Sequence, residues 1–225
     1  MKTKLYASLV SSIGAVAIVM SAGSARALTY TLATGNSAIS GYSGPYGTVD
    51  VNLTDSTHAT ITFTSTVVNG NINLFGDGGT VGVNVNATSW TIGSFSASNA
   101  GTGFTPGPLS SGGSGNEDGF GVFNQKIDSF DGYTHSSDTV SFVLTDTSGT
   151  WASAANVLVA NADGNTVAAH IFITSSPANA SNGALVTGFA TDSGSTTVPD
   201  GGTTAALLGF VFVGLAVVRA KFARN

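Results

Sequence analysis

Apolar and polar residues alternate with a period of two through most of this chain, and that pattern admits little other than half-buried β-strands. In residues 48–54, Val49, Val51 and Leu53 share one face while Asp50 and Asn52 share the other. In residues 58–67, Ala59, Ile61, Phe63 and Val67 line up in the same way. Asp55-Ser56-Thr57 between these two runs is turn-forming, so a hairpin is the expected connection. Further strands are expected at 81–85, continuing through Trp90, Ile92 and Phe95 after a break, and at 140–144, 166–174 and 185–190. The 166–174 run carries apolar residues on both sides, as a strand covered on both faces does, and the turn Asn161-Ala162-Asp163-Gly164-Asn165 is expected to pair it with 156–160.

No amphipathic helical period accompanies these strands. The expected class is therefore all-β, an antiparallel β-sandwich of jelly-roll-like or lectin-like form, with a closed barrel as the alternative. Residues 101–115, built almost wholly of Gly, Ser, Thr and Pro, read as a loop inserted in it.

Both ends of the chain depart from this pattern. Lys2 and Lys4 precede an apolar run to about Met20, and Ala25-Arg26-Ala27 then offers small residues where a signal peptidase needs them. Residues 1–27 read as a signal helix removed by cleavage before Leu28. At the other end Val198-Pro199-Asp200-Gly201-Gly202 leads into an apolar run, 203–218, and then a basic tip of Arg219, Lys221 and Arg224. As a helix that run would rise roughly 24 Å, short of the ~30 Å of a hydrocarbon core, and the basic tip would stay on the cytoplasmic side.

The order of short motif, apolar helix and basic tip resembles the PEP-CTERM sorting tail in its VPDSG-CTERM variant, with Gly201 standing where the variant has Ser. The resemblance implies an exported protein that passes transiently through the inner membrane. A membrane enzyme, an exosortase, would recognise the tail, cut near the motif and release the protein or transfer it to the cell surface. The domain plan is then 1–27 signal peptide, 28–197 ectodomain and 198–225 sorting signal, with signal peptidase and an exosortase-type enzyme as processing partners.

The ectodomain is strongly acidic. Lys126 is its one basic residue, set against acidic residues from Asp50 to Asp192, so nucleic acid and anionic lipid are excluded as partners. The absence of cysteine excludes disulfides and thiolate metal sites, and leaves packing to hold the fold.

Candidate site residues are few. Glu117, Asp118, Asp128 and Asp131 set carboxylates beside glycines, the composition of a calcium loop without its full pattern. Calcium is the one cofactor they could take. Glu117 and Asp118, as neighbours on a strand, would point to opposite faces and could not share one sugar substrate. Tyr46 and Tyr133 lie near turns and are candidates to stack on a carbohydrate. Ser114 misses the nucleophile elbow because Asn116 occupies its last position, and His58, His135 and His170 lack zinc spacing, so no catalytic residue is nominated. The expected role is structural or adhesive at the cell surface or in an extracellular polysaccharide matrix. A secreted glycan-active hydrolase and a calcium-stabilised adhesion module are the alternatives.

Overall fold

The structure, a computed structural model, describes residues 26–129 and 132–198. Twelve strands form in chain order: β1 (Ala27–Gly35), β2 (Gly47–Leu53), β3 (His58–Ser65), β4 (Val67–Val68), β5 (Asn71–Phe75), β6 (Val81–Val83), β7 (Trp90–Ser98), β8 (Ser110–Glu117), β9 (Gly121–Asp128), β10 (Thr139–Asp146), β11 (Val167–Ser175) and β12 (Val186–Val198). The only helical pieces among the described residues are four 3-10 turns of three residues each. The signal helix, the hydrophobic helix of 203–218, Ala25, Asp131, Pro199 to Gly202 and the basic tip lie outside the described residues.

The strands join one antiparallel sheet in the order β7-β10-β3-β2-β1-β12-β11-β6-β9-β8, with β5 and β4 branching from β11. Neighbouring strands are staggered along the path. β12 pairs with β1 over its C-terminal part and with β11 over its N-terminal part, from Thr191↔Ala168 to Val186↔Ile173. Stagger of this kind lets a sheet roll, and the sheet is nearly barrel-shaped. The all-β antiparallel class is met. Instead of two separate sheets, however, one unbroken ladder wraps the core. Its two edge strands approach without pairing: the Trp90 indole N–H in β7 donates to Gln125 Oε1 in β9 at 3.2 Å, and Gln125 Nε2 donates to Ser111 Oγ in β8 at 2.9 Å.

Alternation delivers the core as expected. Val49, Val51, Ala59, Ile61, Phe63, Val140, Phe142 and Leu144 are all fully buried in one cluster with Val167, Ala169, Ile171 and Ile173. At its centre Phe63 packs edge-on against Phe75, with ring centroids 6.1 Å apart, and stacks on Phe142 at 6.4 Å. The β2–β3 hairpin forms where Asp55-Ser56-Thr57 predicts it, because Asp55 Oδ1 accepts from the backbone N–H groups of Thr57 and His58.

Three expectations are corrected. Val67 is 58 % exposed, because β3 ends at Ser65 and Val67 belongs to a separate two-residue strand. The turn at 161–165 forms, with Asn161 N–H donating to Asn165 O at 2.8 Å, but 156–160 is not a strand; Leu158 makes a single bridge to Val85, and β11 pairs with β12, β5 and β6. The second half of the Gly/Ser-rich insertion is not a loop but β8, which accommodates its glycines through two register irregularities against β9.

Candidate functional site

The last strand carries the described chain to the start of the sorting motif. Four pairs close the β1–β12 ladder: Tyr30↔Ser195, Thr29↔Thr196, Leu28↔Thr197 and Ala27↔Val198. On its other side β1 pairs with β2, Ala27 opposite Asn52 and Leu28 opposite Val51. Arg26 precedes β1 and continues its pairing toward β2, its carbonyl accepting from Leu53 N–H at 2.7 Å and its guanidinium donating to Thr54 O at 3.3 Å. The bond expected to be cut by signal peptidase, Ala27–Leu28, and the first residue of the tail motif, Val198, therefore lie across from one another on adjacent strands. Pro199, outside the described residues, follows in sequence.

β12 is anchored inside the sheet. Thr191 is 2 % exposed, and its hydroxyl donates to Val167 O at 2.7 Å. Asp192 Oδ1 accepts from the backbone N–H groups of Thr166 at 2.8 Å and Val167 at 3.0 Å, which closes the loop that enters β11.

Of the four candidate cation ligands, Asp131 lies outside the described residues, and the other three are not grouped to hold a metal ion. Glu117 ends β8 fully buried, whereas Asp118 next to it is exposed and its carbonyl accepts from Asn36 Nδ2. Asp128 ends β9, and its Oδ1 accepts from Gly79 N–H at 2.6 Å. Gly79 also backs the Glu117 carboxyl so closely that a Cβ there would lie 2.7 Å from Oε1. With φ at +67°, only glycine suits the position. Neither Glu117 oxygen has a hydrogen-bond partner. Burial, opposed by the Lys126 charge and reinforced by that of Asp128, pushes the Glu117 carboxyl up to about 8, so it is mostly a neutral acid at pH 7. Among the described residues no three His, Cys, Asp or Glu side chains are grouped to hold a metal ion.

Nor do the two tyrosines offer open faces. Tyr46 is 3 % exposed, seated against Gly35 and Gly44, and its hydroxyl donates to Tyr42 O at 2.7 Å. Burial raises its phenol above the usual value. The half-buried ring of Tyr133 packs between Phe104, at 5.3 Å, and Phe172, at 6.0 Å. Both rings stand near turns, as their positions suggest, but the turns fold them inward.

A feature absent from the sequence reading is a polar cleft of about 570 Å³, lined by Asn86, Thr88, Asp146, Ser148, Thr150 and Trp151 among others. Its frame is fixed by hydrogen bonds: the Trp151 indole N–H donates to Asn86 O at 2.9 Å, and Asn86 Nδ2 donates to Asn156 O at 2.9 Å. Burial works to raise the Asp146 carboxyl, but the N–H groups of Ser148 and Gly149 and the Ser148 hydroxyl outweigh it and hold the group below its ordinary value. That carboxylate is committed to its turn. The cleft forms from two loops distant in sequence, which no local pattern signals.

His170 also lies off the main core, its ring stacked on Phe189 at 4.4 Å and on Phe172 at 5.1 Å. Burial lowers its basicity, opposed by the Asp77 charge and the Gly78 backbone, and Nδ1 has no hydrogen-bond partner. The ring is thus held by aromatic stacking, with one nitrogen unsatisfied.

Residues 197–222 match the VPDSG-CTERM motif. No curated protein and no solved structure matches the chain.

Proposed function

We propose that this chain, which carries a VPDSG-CTERM sorting tail at residues 197–222, is a non-enzymatic β-domain displayed at the cell surface or released into an extracellular matrix after an exosortase-type enzyme has removed the tail. The tail match carries the exported, exosortase-processed part of this reading. Signal peptidase trims the N-terminus before Leu28, and the 203–218 segment holds the protein in the inner membrane until the tail is cut.

The structural role of the domain is supported by its build. The mature chain is acidic, the main core draws on nearly every strand, and the polar cleft beside Trp151 holds one carboxylate, Asp146, that is consumed by its own turn. Neutral hydroxyls and amides at the rim, with Thr88 and Thr150 exposed, are suited to hydrogen-bonding polysaccharide hydroxyls. Co-sedimentation of the mature protein with matrix polysaccharide from the host tests the role. Retention that falls at least several-fold on Thr88→Arg/Thr150→Arg supports it, and no retention refutes polysaccharide contact.

One observation favours a second reading, a calcium-stabilised module: the Glu117 carboxyl is buried without a partner while Asp128 sits on the other side of Gly79. A cation there would draw on these two carboxylates and backbone oxygens. A chelator that leaves the melting temperature unchanged removes this reading.

A further inference from the structure

We propose that a second, smaller pocket, at the other end of β3 from the Trp151 cleft, binds one neutral pyranose ring of an extracellular polysaccharide. This deepens the polysaccharide contact proposed above and rests on it, but at residues which that contact does not use. The pocket holds about 200 Å³ and is lined by Tyr42, Ser43, Asn69, Asn71, Asn73 and Ile173 among others. That is below the ~300–1,000 Å³ that encloses a drug-sized ligand, so the space suits a single ring whose chain continues outside. Trp151 N–H donates to Ser56 O just before β3, and Thr66 just after it holds Asn73, so the eight residues of the strand set the two sites roughly 25 Å apart.

The frame of the pocket is held by the fold itself. Asn69-Gly70 makes the two-residue turn between β4 and β5, with Val68 paired to Asn71 and φ of +51° and +78°, the left-handed pair that such a hairpin uses. Along β5 the side chains alternate, so Asn71 and Asn73 share one side of the strand. Asn73 Nδ2 donates to Thr66 O and to Thr66 Oγ1, both at 3.2 Å, which orients its amide. On the wall formed by residues 41–43, the Tyr42 N–H donates to Ile39 O at 3.0 Å and its carbonyl accepts from the Tyr46 hydroxyl at 2.7 Å.

The groups this frame leaves unpaired are those a sugar needs. Among the described residues no hydrogen bond reaches the side-chain amides of Asn69 and Asn71, the Oδ1 of Asn73, or the hydroxyls of Ser43 and Tyr42. An amide sets a donor beside an acceptor, and two neighbouring sugar hydroxyls can meet both at once. The Tyr42 ring adds an apolar body with a polar tip for the C–H face of the sugar. No lining residue is charged, and Lys126, the one Lys or Arg from Leu28 to Val198, stands on β9, so an anionic ligand finds no counter-charge here.

Side-chain amide NMR signals of the mature protein test this, in separate titrations with the methyl pyranosides of glucose, galactose, mannose and N-acetylglucosamine to about 50 mM, since a single-ring contact is expected at about millimolar Kd. At least one sugar should shift the Asn69, Asn71 and Asn73 amides saturably. Asn71→Ala should weaken that binding about ten-fold or more, while Thr88→Arg/Thr150→Arg leaves it within about two-fold. Ser43→Trp, at an exposed lining position, is a second variant that should abolish the same shifts. Shifts that survive both Asn71→Ala and Ser43→Trp overturn the inference. Shifts confined to the Trp151 cleft also overturn it but leave polysaccharide contact standing. No saturable shift with any of the four sugars overturns it as well, and if the mature protein then fails to co-sediment with the host polysaccharide, the contact it rests on falls too.

Discussion

Ala27 and Val198 are paired residues on β1 and β12, although 170 residues of chain separate them. The pairing sets folding and sorting side by side, and substitutions either side of Val198 should pull them apart. Thr197→Pro places a residue without an N–H in the β1–β12 ladder and should lower stability by denaturant titration. Asp200→Ala, in the sorting motif, should reduce tail removal. Gly201→Ser, which restores the residue in the motif's name, should leave both unchanged.

Asp192 makes a sharper test of how β12 is held. Its Oδ1 accepts from the N–H groups of both Thr166 and Val167, so Asp192→Ala leaves two backbone donors without an acceptor. The expected loss is about 1.5–3 kcal/mol, and Asp192→Asn, which keeps an acceptor, should lose less. Hydrogen exchange at Thr166 and Val167 should rise in the alanine variant.

Phe63 touches both Phe75 and Phe142 in the middle of the core. Phe63→Ala should destabilise the protein by about 3–5 kcal/mol, measured by chemical denaturation. Val67→Ala, at a side chain 58 % exposed, should change stability by less than about 0.5 kcal/mol. Equal losses at the two positions would contradict the way β3 and β4 are divided.

Glu117 gives the protein a pH dependence of known sign. Its folded-state value of about 8 lies above the ordinary 4.5, so the native state keeps a proton that the unfolded chain releases. The stability this group contributes is complete below pH 4.5 and falls as pH rises toward 8, by up to about 1.4 kcal/mol per pH unit. Glu117→Gln, neutral at every pH, should flatten that part of the stability profile between pH 5 and 8. An unchanged slope would show that the carboxyl is ionised in the folded protein.

What the sequence made legible follows from how local the signal is. Val49, Val51 and Leu53 declare their strand because one buried face alternates with Asp50 and Asn52. Asp55 declares its turn because its side chain acts two and three residues away. β8 is illegible for the opposite reason: residues 110–116 are Ser, Gly and Asn, and only pairing with β9 makes them a strand. β12 was readable only as far as Ala190, since Asp192 to Thr197 carry no apolar alternation and owe their strand to β1. Tyr46 and Tyr133 show the limit for sites. Sequence places them near turns, but whether a ring faces solvent or the core is decided by tertiary partners, here Gly35 and Gly44 for one, Phe104 and Phe172 for the other. The sorting motif is the most legible feature because its order along the chain is itself the signal.

The most direct test of the account is fractionation of the native host with intact-mass measurement of this protein, comparing the wild-type chain with one in which residues 198–202 are replaced. The account predicts a wild-type species that begins at Leu28, has lost the 203–225 tail and lies outside the inner membrane, with the replaced chain held in that membrane at its full C-terminal length. A wild-type chain that keeps its tail and stays in the inner membrane, as the replaced one does, would contradict it.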